Sequence, residues 1–191
     1  MSNNKTYLFL LTIGPVQVFI AQARKTVDLY AGSKILTELT KTGIEYIGRH
    51  NIVFPYAKYE IKDEWEEVNS LPNRFVAKLS GIESDINQLG KDTEGAIRAK
   101  FKSISEKALK NAGIKTFPAF EQQIEQHLDI YWAAIELGTD YKETYEKLEQ
   151  AIGSLKNMRQ FQQYTYDGIG EKGRKCSIDG VRNAIIHVEN P

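Results

Sequence analysis

Gly14 and Pro15 stand between an apolar run, Tyr7 to Ile13 (YLFLLTI), and a segment whose apolar residues Val16, Phe19, Ile20, Ala23 and Val27 recur at helical spacing. A strand that turns into a helix through such a corner presents first-turn N–H groups with no intrahelical partner, and the helix dipole favours an anion beside them. The chemistry on offer is phosphate binding, or none, since many α/β proteins use the same corner as a plain connection. Gln17, Arg24 and Lys25 fall on the outward side, and the Arg24 and Lys25 pair reads as a solvated helix face. Farther along, Ser33 and Lys34 add a hydroxyl and a point charge, although Ser33 equally suits a small packing position.

Other reactive residue types are sparse or poorly spaced. Asp63, Glu64, Glu66 and Glu67 surround Trp65 and read as a solvated acidic loop rather than a metal site. His50, His127 and His187 lie far apart without ligand-spaced partners. Cys176 and Asp179 leave at least two zinc ligands unsupplied, so no metal is expected on this chain. Lys172, Arg174 and Lys175, in the Gly-rich loop YDGIGEKGRK, form the densest basic patch, with Lys156 and Arg159 upstream. Such a loop can hold a phosphate backbone without reading bases, or simply remain solvated. Asn73 and Arg74, between Pro72 and an apolar run, are either a polar pair at the mouth of a site or against a partner, or a turn residue and a strand-edge charge.

Lysine plus arginine equals aspartate plus glutamate at 25 each, so nucleic-acid contact must be local. A single cysteine excludes an internal disulfide and fits a cytoplasmic location. The longest apolar run is far below the roughly 20 residues of a membrane-spanning helix, so no membrane contact is expected. The order of elements must then position the corner. Tyr7 to Ile13 reads as a central strand covered on both faces. The helix after it continues from Asp28 to His50, with a possible kink near Asp28 to Gly32 and an apolar face of Ile35, Leu36, Leu39, Tyr46 and Ile47. NIVFPY at 51–56 reads as an edge strand because of Pro55, and Asn73 to Leu79 as a strand with Phe75, Ala77 and Leu79 on one face. A helix from Ile82 to Asn111, stopped by Gly113 and using Ile97, Phe101, Ile104 and Leu109, precedes a short helix at 118–128 and a buried strand, DIYWAAIEL, at 129–137. A last amphipathic helix, Tyr141 to Phe161, uses Tyr145, Leu148, Ile152, Leu155 and Met158, and a closing β segment is expected at 183–188. The expected fold is α+β: a ferredoxin-like (palm/cyclase-like) antiparallel sheet with helices packed on one face, plus an additional C-terminal helix. The expected division is a degenerate palm-like domain at 1–138, then a helical extension and basic loop at 139–191 leading to a further domain.

The pattern IGPVQ-FI-QAR-T-DL-AGS-IL at 13–36 resembles the opening signature of the large subunit of the type III-B CRISPR effector, the Cmr complex. LPNRFVAKL at 71–79, IYWA at 130–133, KNMRQF at 156–161 and KCSIDGVRNAI at 175–185 resemble the same family in the same order. The resemblance implies one of two palm domains that face each other with ATP near their junction. It makes Gly14, Pro15, Val16, Gln17 and Phe19 candidates for phosphate or base contact, joined by Ser33 and Lys34. Catalytic palms carry an aspartate at the end of the first strand and a GGDD hairpin; here Ile13 and Gly14 stand at that end and no GGDD or HD motif occurs. The chain is therefore expected to be a non-catalytic module of an RNA-guided antiviral effector whose full-length protein makes cyclic oligoadenylates. The implied partners are the second palm, neighbouring Cmr subunits and, through the complex, crRNA and target RNA. Asn73, Arg74, Lys156, Arg159, Lys172, Arg174 and Lys175 are the candidate RNA or partner contacts. The alternative expectation is a stand-alone nucleotide-binding or nucleotidyl-transferring enzyme acting as a homodimer.

Overall fold

Among the described residues, four strands form one antiparallel sheet in the order β2-β3-β1-β4: β1 (Lys5–Gly14), β2 (Ile52–Phe54), β3 (Arg74–Gly81) and β4 (Asp129–Glu136). The helices are α1 (Val16–Ala21), α2 (Thr26–Ile47), α3 (Glu83–Asn111), α4 (Pro118–Glu125) and α5 (Tyr141–Asn157). The structure is a computed structural model and describes residues 4–56, 65, 68, 70–158, 173–176 and 182–186, with the side chains of 18–20 outside that description. The strand order and the β-α-β-β-α-β succession are those of the ferredoxin-like palm.

Strand β1 occupies a central position because its sequence is apolar at every turn of the pleat. Phe9, Leu11 and Ile13 point to one face and join Phe75, Ala77, Leu79 and Ile130 under α2 and α3. Leu8 and Leu10 point to the other and meet Val76 with Leu148 and Ile152 of α5. Each such Val, Leu, Ile or Phe side chain, fully removed from water, contributes about 1.5–3 kcal/mol. The second layer therefore comes from the C-terminal helix, which packs on β4 and β1. Its start is fixed by Asp140, whose Oδ1 accepts from the amides of Lys142 at 2.8 Å and Glu143 at 3.2 Å.

Several expectations need correction. The helix break falls at 22–25, not at 28–32. Asp28 is the reason: its Oδ2 accepts from the amides of Arg24 at 3.1 Å and Lys25 at 3.0 Å, so it starts α2 instead of interrupting it. Val27 is 64% exposed and leaves the expected apolar stripe, because the new helix begins with a different phase. Tyr46 and Met158 are also exposed. Among the described residues no strand pairs beyond β4, which is therefore an edge strand with mostly half-buried residues. At the C-terminal end, one antiparallel bridge joins Lys175 to Asn183; residues 187–191 and 159–161 lie outside the described set. Pro55, by contrast, does follow an edge strand, and Gly113 ends the long helix region with φ 74°.

Close approach of helix and sheet depends on two glycines. A Cβ on Gly43 would lie 2.9 Å from Phe75, and one on Gly90 would lie 2.6 Å from the Trp132 ring. That ring stacks on Phe9 with centroids 5.9 Å apart and donates its Nε1–H to Glu94 at 3.3 Å. Gly90→Ala should therefore destabilise the fold by about 1–3 kcal/mol through overpacking. Gly95→Ala, on the same helix with open space around it, should stabilise by up to about 1 kcal/mol. Denaturant unfolding of the two variants provides the comparison.

Candidate functional site

A cavity of about 360 Å³ opens where β1 ends. One side is the N-terminal half of α2, through Leu29, Gly32, Ser33 and Leu36. The other is Val16 of α1 together with Leu71, Pro72 and Asn73, the residues that lead into β3. The lining is mostly aliphatic, with one hydroxyl and one carboxamide, and its volume lies at the small end of the range for ligand pockets.

Asn73 is held in place by its backbone and by its side chain. Its carbonyl accepts from the Ile13 amide at 2.8 Å, and its side-chain Nδ2 donates to the Ile13 carbonyl at 2.7 Å. The end of β1 is thereby tied to the entry of β3, and the carboxamide sits on the cavity wall. Ser33 reaches the opposite wall because Asp28 sets where α2 begins. Val16 and Ser33, from the block at 13–36, are thus brought together with Asn73 of the block at 71–79. Gly14 and Pro15 lie half-buried behind Val16, and the peptide between them is cis. Gly14 pairs with Asp129 of β4, whose Cβ would stand 3.7 Å from a Cβ placed on Gly14. Gln17 is exposed on α1, and the Phe19 side chain lies outside the described residues.

The remaining candidate residues lie elsewhere. Lys34 points along α2 to Glu38 at 3.7 Å, a carboxylate that also meets Lys100 of α3 at 3.8 Å. Arg74 faces the second layer, where its Nη2 donates to Glu149 and, at 3.3 Å, to the Tyr145 hydroxyl. Lys156, Arg174 and Lys175 are exposed on the C-terminal part, while Arg159 and Lys172 lie outside the described residues. So do Asp63, Glu64, Glu66 and Glu67; Trp65 is buried, donates to Glu45 at 2.8 Å and has Lys41 and Arg49 over its ring. Among the described residues no group of three or more His, Cys, Asp or Glu could hold a metal ion. No helix among them is long and apolar enough to cross a membrane.

Leu29, Gly32, Leu36, Leu71 and Pro72 complete the cavity without having been named as site residues, Leu36 having been read as core. Gly32 belongs to the AGS step and Leu71-Pro72 to the LPNR block, so their blocks, not their chemistry, carried the signal.

A four-stranded sheet in this order, with helices on one face, a further helix on the other and a cavity at the end of the central strand, defines a palm-type ferredoxin-like domain. The family model described as CRISPR-associated protein Cmr2, N-terminal, matches residues 8–106, just over half of the chain, and the chain belongs to that family. Over 93 residues it is 34% identical to the CRISPR system Cmr subunit Cmr2 of Pyrococcus furiosus, which covers 41% of this chain and 11% of the relative. The chain thus spans about a tenth of the length of that relative. Among solved structures, the Csm1-Csm4 cassette in complex with AMPPNP is similar with a TM-score of 0.51 and 16% identity, over 81% of this chain and 19% of that one. The cassette in complex with one ATP gives the same four values.

The Arg74 tie has a pH signature. Burial pushes the Glu149 carboxyl up, but hydrogen bonds from Tyr145 and Arg74 and the Arg74 charge outweigh it and hold the group below its ordinary 4.5. A depressed carboxylate adds stability that is fully present above its unfolded value and is lost as pH falls through the lower folded one. Both side chains of the pair are 34% exposed, so solvent screening limits the contribution to about 0.2–1 kcal/mol. The thermal midpoint should drop as pH falls below 4.5, and Glu149→Gln should flatten that acid limb while lowering the midpoint at neutral pH.

Proposed function

We propose that this chain is a non-catalytic palm module of a type III CRISPR effector large subunit, supplying one wall of a nucleotide site and surfaces for subunit assembly. The observation that carries the proposal is the cavity at the end of β1, with Ser33 and Asn73 on opposite sides of an otherwise aliphatic lining. Aliphatic walls suit the flat faces of a base, and the two polar groups suit its edge. The Csm1-Csm4 cassettes of similar fold have AMPPNP and ATP bound, which supports a nucleotide as the ligand. Val16 joins Ser33 and Asn73 in direct contact. Gly14, Pro15 and Gln17, the neighbours of Val16 in the chain, meet the sugar, whereas Lys34 is paired with Glu38 and takes no part.

The non-catalytic assignment rests on Ile13 and Gly14 at the position where catalytic palms carry an aspartate. The facing palm provides metal and triphosphate contacts, so ATP binds this chain weakly by itself. Lys156, Arg174 and Lys175, exposed on the C-terminal part, contact RNA or a neighbouring Cmr subunit. Arg74 serves assembly indirectly by holding α5 on the sheet.

Calorimetric titration of the purified chain with ATP should show weak binding that Ser33→Phe, which fills the cavity, abolishes. Lys78→Ala, on an exposed position of β3, should leave binding unchanged. Addition of magnesium should yield no pyrophosphate or oligonucleotide product. Sustained metal-dependent turnover by this chain would overturn the non-catalytic assignment.

A further inference from the structure

Two buried hydroxyls span the gap between the cavity walls. Thr37 and Thr40 lie one helical turn apart on α2, and neither has any solvent exposure. The Thr37 hydroxyl donates to the Ser33 carbonyl at 3.0 Å and accepts from the Leu71 amide at 3.3 Å. The Thr40 hydroxyl donates to the Pro72 carbonyl at 3.2 Å. Ser33 belongs to one wall and Leu71 and Pro72 to the other, so these bonds run from wall to wall.

We infer that Thr37 and Thr40 are positioning residues of the cavity, setting the separation at which Ser33 and Asn73 meet one ligand from opposite sides. The inference rests on the nucleotide reading above. A hydroxyl is the only group of this size that donates and accepts at once, which is what Thr37 does between the Ser33 carbonyl and the Leu71 amide. Valine would fill the same volume but leave that amide without its acceptor, and the segment 71–73 would move to find another partner. The next link continues the chain of bonds, since Asn73 is fastened to Ile13 through both its backbone and its side chain. The helix, the 71–73 segment and the end of β1 therefore form one hydrogen-bonded frame around the cavity. A ligand gripped from both walls loses affinity when their spacing is no longer fixed.

The test measures ATP affinity for wild-type chain, Thr37→Val, Thr37→Ser and Thr40→Val, with thermal midpoints alongside, and amide exchange of wild type without ligand. Thr37→Val should bind ATP about ten-fold more weakly, the scale of one lost hydrogen bond, while Thr37→Ser, which keeps both bonds, should bind as wild type does. Thr40→Val should fall between them. In the wild-type chain the Leu71 amide should exchange slowly even without ATP, a measurement that does not depend on any variant folding. Equal ATP affinity for wild type and Thr37→Val, or a Leu71 amide that exchanges as fast as an exposed one, overturns the positioning role alone. Absence of ATP binding by wild type, with a slow Leu71 amide, overturns the nucleotide reading and this inference with it.

Discussion

Strand β1 is engaged on every side. Its two edges are hydrogen-bonded to β3 and β4, and its two faces are covered by α2 and α3 on one side and α5 on the other. A strand saturated in this way can offer a ligand only its end, where the ladder stops and the chain turns at Gly14. The cavity is found at that end. Everything that lines it arrives either by continuing from β1, as Val16 does, or by being fastened to the core that β1 organises.

That dependence explains why the site combines an aliphatic interior with so few polar groups. Leu36 belongs both to the main core and to the cavity wall, so the pocket is an extension of the core left open to one side. Its polar residues come from segments that need hydrogen bonds for their own reasons. Asn73 completes the end of a ladder, and Ser33 lies on a helix whose start Asp28 dictates. Two of the charged candidates are engaged elsewhere: Lys34, with Lys100, meets Glu38, and Arg74 meets Glu149.

The fold was legible because apolar periodicity is a direct record of burial. The run at 7–13, the alternation of Phe75, Ala77 and Leu79, and the long amphipathic pattern at 83–111 each translate into one element. The site was legible in its members but not in its construction. Ser33 and Asn73 were found because they sit in recognisable blocks, yet nothing in their spacing of 40 residues places them across one cavity. The exposed Val27 was misjudged for a related reason. Helical phase is reset wherever a new helix begins, and Asp28 resets it through two amide contacts that a periodicity argument does not include. Thr37 and Thr40 carried a signal that went unused: two hydroxyls one turn apart within an otherwise apolar stripe.

The arrangement of strands also bears on how the chain reaches its native state. Lys5 at the head of β1 meets Glu136 at the tail of β4, 131 residues later. During synthesis the most apolar strand therefore emerges early and waits, first for β3 and then for β4, before both of its edges are satisfied. Contacts of such long sequence separation slow folding, and an exposed run such as YLFLLTI invites association with other chains in the meantime. The strand that makes the mature domain secure is thus the segment for which a nascent chain has most need of shelter.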